Sequence, residues 1–445
     1  MKRSYRFWIV GLILAAGMLV AVACNGDDDG DDGNGGTTTG ATEPPDTVDV
    51  PGVSDTEVIL GTHTSLTGPI AAYSIIPTFT LAYFDYINAT EGGVAGRTIT
   101  YKVTDDAYEP AKAVDLTRQL VEQDKIFALF NALGTPNHLQ VIDYLQERGV
   151  PDMYLATGAI EWVKDPSARP LVFGSNPNYT GEGLVLGKYI ADNFAGGKVG
   201  IILQNDDFGI DGAAGVEIGV GDALEIVGQL PYEVTDPDLF SQIDSLRAAD
   251  ADVVVLFSTP LLLANAIKHA RNDLDWDVPF VITAVSMNEL TGLIAGGDVI
   301  EGTVGPVATY MGYHSDRPAI ATHIEILDTI GFGPEAASVL SLYAQFVAEL
   351  MVETLERAGE DLTRESLVAA AESIQDWLCS VCLFPVTLGP DDHDPSQTVA
   401  IATFDSNGKI LISDLAYSWE GISVADLSVD SLVQVDVPAD ALATP

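Results

Sequence analysis

Two short turns carry the residues best suited to hold a small molecule. The stretch Phe127–Ile160 alternates strand, turn, helix, strand, turn, and its turns are Asn131-Ala132-Leu133-Gly134-Thr135 and Ala156-Thr157-Gly158-Ala159. Phe127–Phe130 and the run ending at Tyr154-Leu155 are apolar enough for buried strands. Leu139, Ile142, Leu145 and Val150 between them suggest an amphipathic helix. Both turns then fall at the carboxyl ends of neighbouring parallel strands, the edge of an open α/β sheet where ligands bind. Glycine lets the backbone approach a ligand closely. Free N–H groups at a helix start favour an anion, and Thr135 and Thr157 each add a hydroxyl. The chemistry implied is capture of a carboxylate or similar group on one wall of a cleft. The plainer alternative is that these are βα loops whose Gly and Thr only make the turns.

Other candidate chemistry is thinner. The pair in Trp377-Leu378-Cys379-Ser380-Val381-Cys382 reads first as a local disulfide outside the cytoplasm, ahead of free thiols. A redox site would want a helix start near a βαβ unit, and a zinc site needs two more ligands where only His393 lies near. His63 and His138 fall near strand-end loops within reach of a ligand, although a surface or turn position explains them as well. No GxSxG elbow, HExxH pair or P-loop accompanies them, so no enzyme, metal or cofactor is expected. Gly181-Glu182-Gly183 with Gly187 is out of register for a dinucleotide fingerprint.

The 445 residues suffice for two domains with full cores, and 47% are hydrophobic. The net charge of −45, from 65 acidic and 20 basic residues, excludes nucleic acid and anionic membrane surfaces as expected partners. Residues 1–24 read as an export segment. Lys2, Arg3 and Arg6 precede the apolar run Phe7–Ala23, too short for a comfortable span, and small residues lead into Cys24. That ending resembles a lipobox, which makes Cys24 a lipidation site and anchors the protein outside the cytoplasm, in the periplasm or on the cell surface. An uncleaved anchor is the alternative. Residues 25–52, rich in Gly, Asp, Thr and Pro, bury no core and read as a disordered acidic tether.

The remainder alternates strand and helix, the pattern of a doubly wound parallel sheet, and does so twice. The expected fold class is α/β, with two doubly wound parallel-sheet lobes joined by a three-segment hinge. Residues 53–176 form lobe 1, 177–303 lobe 2, 304–385 the return to lobe 1, 386–422 a crossover with a lobe 2 hairpin, and 423–445 a loose acidic tail. Thr303–Tyr310 reads as the return crossover. Strand-end loops at Ser65, at Ser258-Thr259 and at Thr283–Ser286 complete the candidate cleft.

The order of segments resembles the type I periplasmic substrate-binding proteins of ABC transporters, in the Leu/Ile/Val-binding group. The resemblance rests on Leu66-Thr67-Gly68-Pro69, Gly92–Arg97, Asp105–Tyr108 with Pro110, Leu133–Thr135, Ala156–Ala159 and Gln204–Gly209. It extends over roughly Asp55–Asn407. It implies a solute-binding protein that closes two lobes over its ligand and delivers it to an ABC permease. Carried over to this chain, it implies carboxylate contacts at Gly134, Thr135, Ala156 and Thr157, with Tyr73 and Phe208 as pocket aromatics. Leu133, Gly158 and Ser286 belong to the same loops. Amino-acid binders also place an acid in the late second-lobe loop to hold the ligand ammonium, and Thr283-Ala284-Val285-Ser286 has none. The expected solute is therefore a carboxylate-bearing or amino-acid-like molecule lacking a strongly held ammonium, unless Asp206 or Asp207 replaces the missing acid. Both equally suit a helix cap. A ligand-sensing domain for a membrane receptor is the alternative role.

Overall fold

The structure is a computed structural model that describes residues 50–314 and 316–442. The export segment with Cys24, and the tether up to residue 49, lie outside the described residues. The first sheet is built from β1 (Glu57–Thr64), α1 (Ile75–Thr90), β2 (Thr98–Asp105), α2 (Pro110–Glu122), β3 (Ala128–Phe130), α3 (Thr135–His138), α4 (Ile142–Glu147), β4 (Asp152–Leu155) and β5 (Val172–Gly174). Its five strands are all parallel, in the order β2-β1-β3-β4-β5. The second block runs α5 (Tyr179–Phe194), β6 (Lys198–Gln204), α6 (Asp207–Val220), β7 (Glu225–Tyr232), α7 (Phe240–Ala248), β8 (Val253–Phe257), α8 (Pro260–Lys268), β9 (Phe280–Ile282), α9 (Glu289–Ala295), α10 (Gly297–Ile300) and β10 (Val304–Val307). The chain then gives α11 (Pro318–Thr329), α12 (Val339–Ala358) and α13 (Arg364–Glu372), followed by β11 (Thr398–Phe404), β12 (Ile410–Ser418) and β13 (Val433–Val435). The second sheet has the order β13-β12-β11-β10-β9-β8-β6-β7, parallel from β7 to β10 and antiparallel beyond.

Buried strands explain the apolar runs. Every residue of β8, Val-Val-Val-Leu-Phe, is buried, as expected of a parallel strand covered on both faces. Helices α11 and α12 return to the first lobe against α1. There Thr354 of α12 meets the Tyr154 hydroxyl at 2.5 Å. The chain crosses between lobes after β5, after β10, and before β11. The first and third crossings are stitched by Gly174 N–H to the His393 carbonyl at 3.0 Å and by Ser396 Oγ to the Ser175 carbonyl at 2.8 Å. This is the two-lobed α/β architecture that the alternation predicts, with the hinge that the resemblance implies.

Three local expectations need correction. Residues 304–307 are not yet the crossover: they form β10 in the second sheet, and the crossing follows it. Residues 424–442 are docked rather than loose. β13 pairs with β12, and Leu427, Val437 and Ala441 are buried. The single helix read from Leu139 to Val150 is two short ones, α3 and α4. Helix α6 starts at Asp207, where Asp206 caps it with Oδ1 accepting from Phe208 N–H at 3.0 Å.

Candidate functional site

A cavity of about 140 Å³ lies between the lobes, at the carboxyl ends of the strands. From the first lobe it is lined by Leu133, Gly134 and Thr135 after β3, by Ala156 after β4, and by Ile70, Tyr73, Ile76 and Tyr108. The second lobe contributes Phe208, Thr259, Ala284 and Val285. The crossings supply Asn176, Pro177, Ala308 and Thr309, β10 supplies Pro306 and Val307, α5 supplies Tyr179 and Glu182, and α12 supplies Val339, Leu340 and Tyr343, with Val399 of β11. The lining is mostly apolar with a few convergent polar groups, the usual make-up of a small-molecule site.

Local chemistry explains the first-lobe wall. Gly134 has φ +108°, and a Cβ there would come within 2.6 Å of the Tyr108 ring, so glycine alone lets the chain turn into α3. Thr135 Oγ1 and Thr157 Oγ1 share a hydrogen bond of 2.6 Å. Tyr343 Oη accepts from Asn131 Nδ2 at 2.9 Å and meets Ser175 Oγ at 2.6 Å. The lobes also touch across the cleft: Tyr73 Oη donates to the Val285 carbonyl at 3.1 Å, and Gln204 Nε2 donates to Tyr108 Oη at 3.3 Å. At the rim, Ile160 N–H donates to Asp211 Oδ2 and Val339 N–H to Glu289 Oε2, both at 2.9 Å. The lobes are therefore closed on each other.

Seven of the twelve expected positions line the cavity: Tyr73, Leu133, Gly134, Thr135, Ala156, Phe208 and Thr259. The other five stand behind it. Ser65 donates to Asp106 Oδ1 at 2.9 Å. Thr157 supports Thr135, and Gly158 packs against Pro177 and Tyr179. Ser286 Oγ donates to the Ser258 carbonyl, so both serines serve the loops that end β8 and β9. His63 and His138 are neither at the surface nor in the lining. They are fully buried beneath the first-lobe wall, paired with Asp106 at 2.9 Å and Asp152 at 2.6 Å, with their rings stacked. Asp206 is the helix cap and is absent from the lining. Cys379 and Cys382 are joined as a disulfide, with Cα atoms 5.2 Å apart. Among the described residues no group of three His, Cys, Asp or Glu is placed to hold a metal.

Sequence reasoning missed Glu182. It is fully buried, yet lines the cavity. Its Oε1 accepts Ala284 N–H at 2.8 Å, while its Oε2 has no partner among the described residues. Burial pushes its carboxyl up to about 7, against the Ala284 N–H and the Thr283 hydroxyl, which hold it down. The glycines around it are now explained. A Cβ on Gly183 would sit 2.2 Å from the Gly212 carbonyl, and one on Gly187 2.5 Å from the Val216 carbonyl. These glycines let α5 and α6 pack backbone to backbone, which brings the first turn of α5 to the cavity. An acid between glycines, just before the apolar run Leu184–Leu186, was the available signal.

A family model of periplasmic binding proteins matches residues 57–409. The chain belongs to that family. It is a family of extracytoplasmic solute-binding transport proteins. The periplasmic binding protein described here is 25% identical over 332 residues to a Leu/Ile/Val-binding protein homolog of Brucella abortus, covering 72% of this chain and 84% of the relative. It is 26% identical over 338 residues to an amino acid binding protein of Pseudomonas aeruginosa, covering 75% and 82%. Among solved structures it resembles a branched-chain amino acid ABC transporter protein from Thermus thermophilus with bound valine, with TM-score 0.73, 21% identity, and 81% and 96% of the two chains covered. It is equally close in fold to a fatty acid ABC transporter substrate-binding protein from Thermomonospora curvata, with TM-score 0.73, 22% identity, and 85% and 96% covered.

Proposed function

We propose that this binding protein captures a small carboxylate-bearing or amino-acid-like solute in the inter-lobe cavity and delivers it to an ABC importer by closure about the hinge. The observation that carries the reading is the cavity itself: an apolar chamber at two sets of strand ends, bounded by a glycine turn and the start of a helix. In this reading Gly134, Thr135 and Ala156 face the solute carboxylate, and Thr157 orients Thr135 through the 2.6 Å hydroxyl pair. Tyr73, Leu133, Phe208 and Thr259 enclose the apolar body. Ser65, Gly158, Ser258 and Ser286 hold the loops in place. The names of the relatives support an amino-acid-like solute. The valine in the Thermus structure matches the size of the cavity, since a chamber near 150 Å³ takes a benzene-sized body. Lipidation at Cys24, with residues 25–52 as tether, would keep the closed form near its permease.

Solute contacts from both lobes add to the direct contacts between them and favour the closed state, so ligand and closure reinforce each other. The test is a thermal-shift screen of the purified protein against aliphatic amino acids, short-chain acids, aromatic acids and amides. A true solute raises the melting temperature with its concentration. The Ala156→Trp variant, which fills the chamber, is expected to lose that shift while staying folded. A shift that persists in Ala156→Trp would place the binding elsewhere and defeat the reading.

A further inference from the structure

We propose that the free oxygen of Glu182 receives the positively charged group of the solute, so that the cavity selects small ammonium-bearing molecules with an apolar body. The inference rests on the cavity being the solute site, and it supplies the acid that the loop Thr283–Ser286 lacks. The carboxylate comes from α5 but is joined to that loop through Ala284 N–H at 2.8 Å. It therefore reaches the cavity beside the second-lobe residues from an unrelated element.

Three observations converge on this role. First, Glu182 is buried and its Oε2 has no partner among the described residues, an arrangement that is costly unless something else completes it. Second, no Lys, Arg or His among the described residues lines the cavity, so none of them competes for the carboxylate. Third, among the described residues the only other ionisable groups in the lining are phenols. Tyr179 lies on the same helix, Tyr73 and Tyr108 come from the first lobe, and Tyr343 comes from α12. Burial raises all four, so they stay neutral through the physiological range and act only as hydroxyls. The loop over Glu182 offers the Thr283 hydroxyl and the Ala284 N–H and no charge. A carboxylate solute without an ammonium would meet a buried acid with nothing to offset it. A cation meets its complement.

The position of the Glu182 carboxyl near pH 7 adds a consequence. A cation binds the ionised form, so capture at pH 7 expels the remaining proton, about half a proton per solute. Affinity then rises with pH up to about 7 and levels off above it. Below 7 it falls about tenfold per pH unit.

The test is calorimetry on the purified full chain with L-valine, its des-amino analogue 3-methylbutanoate, and 2-methylpropylamine. It is run from pH 5.5 to 8.5 in buffers of different ionisation enthalpy. The expected result is binding of the two amine-bearing probes. For L-valine, affinity should fall at least tenfold from pH 8 to pH 5.5, with proton release near pH 7. Glu182→Gln should weaken L-valine at least tenfold and abolish both the pH dependence and the proton release, leaving 3-methylbutanoate unchanged or tighter. Glu182→Asp, which keeps the charge on a shorter arm, should retain the pH dependence at lower affinity. Circular dichroism confirms that each variant is folded. The proposal is overturned if 3-methylbutanoate binds as tightly as L-valine, if affinity rises on acidification, if Glu182→Gln leaves L-valine unaffected, or if neither amine binds. Binding that ignores Glu182→Gln but vanishes in Ala156→Trp leaves the cavity as the site and removes only the role of Glu182. Binding that survives Ala156→Trp removes the site itself.

Discussion

Asp106 in the first lobe and Glu182 at the start of the second are both buried carboxylates, and their surroundings differ completely. Asp106 Oδ2 faces the His63 Nδ1 at 2.9 Å, while Oδ1 accepts from Ser65 Oγ at 2.9 Å and from Tyr108 N–H at 2.8 Å. Both oxygens are used within the protein, and they fix a turn in which Ala107 and Tyr108 adopt positive φ, aiming the Tyr108 ring at the cavity. Glu182 uses one oxygen, and the other has no hydrogen-bond partner among the described residues. The electrostatics follow. Burial raises Asp106, but the His63 ring and the other donors outweigh it and hold the carboxyl below its ordinary value. For Glu182 burial wins. A carboxylate satisfied by its own protein shapes the site; one left half-satisfied at a cavity is available to a solute.

The largest effect that separates them is on stability. Asp106→Ala should leave His63 and Ser65 buried without their partner and free the strained turn at Tyr108. A loss of about 3–5 kcal/mol is expected, as for other broken buried pairs, read by urea denaturation. A loss below 1 kcal/mol would mean that Asp106 does not hold the turn.

The second contrast is in pH. The folded-state value of Glu182 lies above its unfolded value, so the group costs stability as pH climbs from about 4.5 to about 7 and adds no further slope above that. The total is roughly 3 kcal/mol. Asp106 runs the other way: its lowered carboxyl contributes stability above its unfolded value of 3.8 and loses it as pH falls further. Glu182→Gln should therefore stabilise the ligand-free protein at pH 8 and leave stability at pH 4 nearly unchanged. A variant less stable than the parent at pH 8 would show Glu182 to be a structural acid like Asp106.

A third effect, about 1–3 kcal/mol, concerns how Glu182 is positioned. Gly183→Ala places a methyl against the Gly212 carbonyl and forces α5 from α6. Both stability and solute affinity should fall, because the first turn of α5 moves with the helix. Unchanged denaturation midpoints would refute the close packing.

The sequence made the frame legible and hid the acid for the same reason. Alternating apolar runs such as Val253–Phe257 announce buried parallel strands, and strand-end turns announce a cleft, so Gly134, Thr135 and Ala156 were readable from local pattern. Glu182 was not, because it reaches the cavity through a helix crossing whose tightness depends on glycines in two separate segments, Gly183 and Gly187 with Gly212 and Gly219. Ser65 was misplaced for a related cause: its loop is right, but Asp106, remote in sequence, claims its hydroxyl. The docked segment 424–442 was obscured by its acids, since only a few apolar residues, among them Leu427 and Val437, carry its packing.

The smallest expected effect tests whether the two walls communicate. Tyr73 belongs to the lobe that holds Asp106, and its hydroxyl donates to the Val285 carbonyl in the loop that holds Glu182. Tyr73→Phe keeps the ring against the cavity and deletes only this bond. A neutral hydrogen bond contributes about 1 kcal/mol net, so solute affinity should fall by roughly fivefold through a weaker closed state, with little change in the stability of either lobe. The pH dependence of binding should remain, because it belongs to Glu182. If Tyr73→Phe altered that pH profile, the phenol would be part of the cation site and the two walls would act as one charge-binding unit. If affinity were untouched, closure would rest on the rim contacts at Ile160–Asp211 and Val339–Glu289, and the first-lobe wall would serve only to shape the chamber.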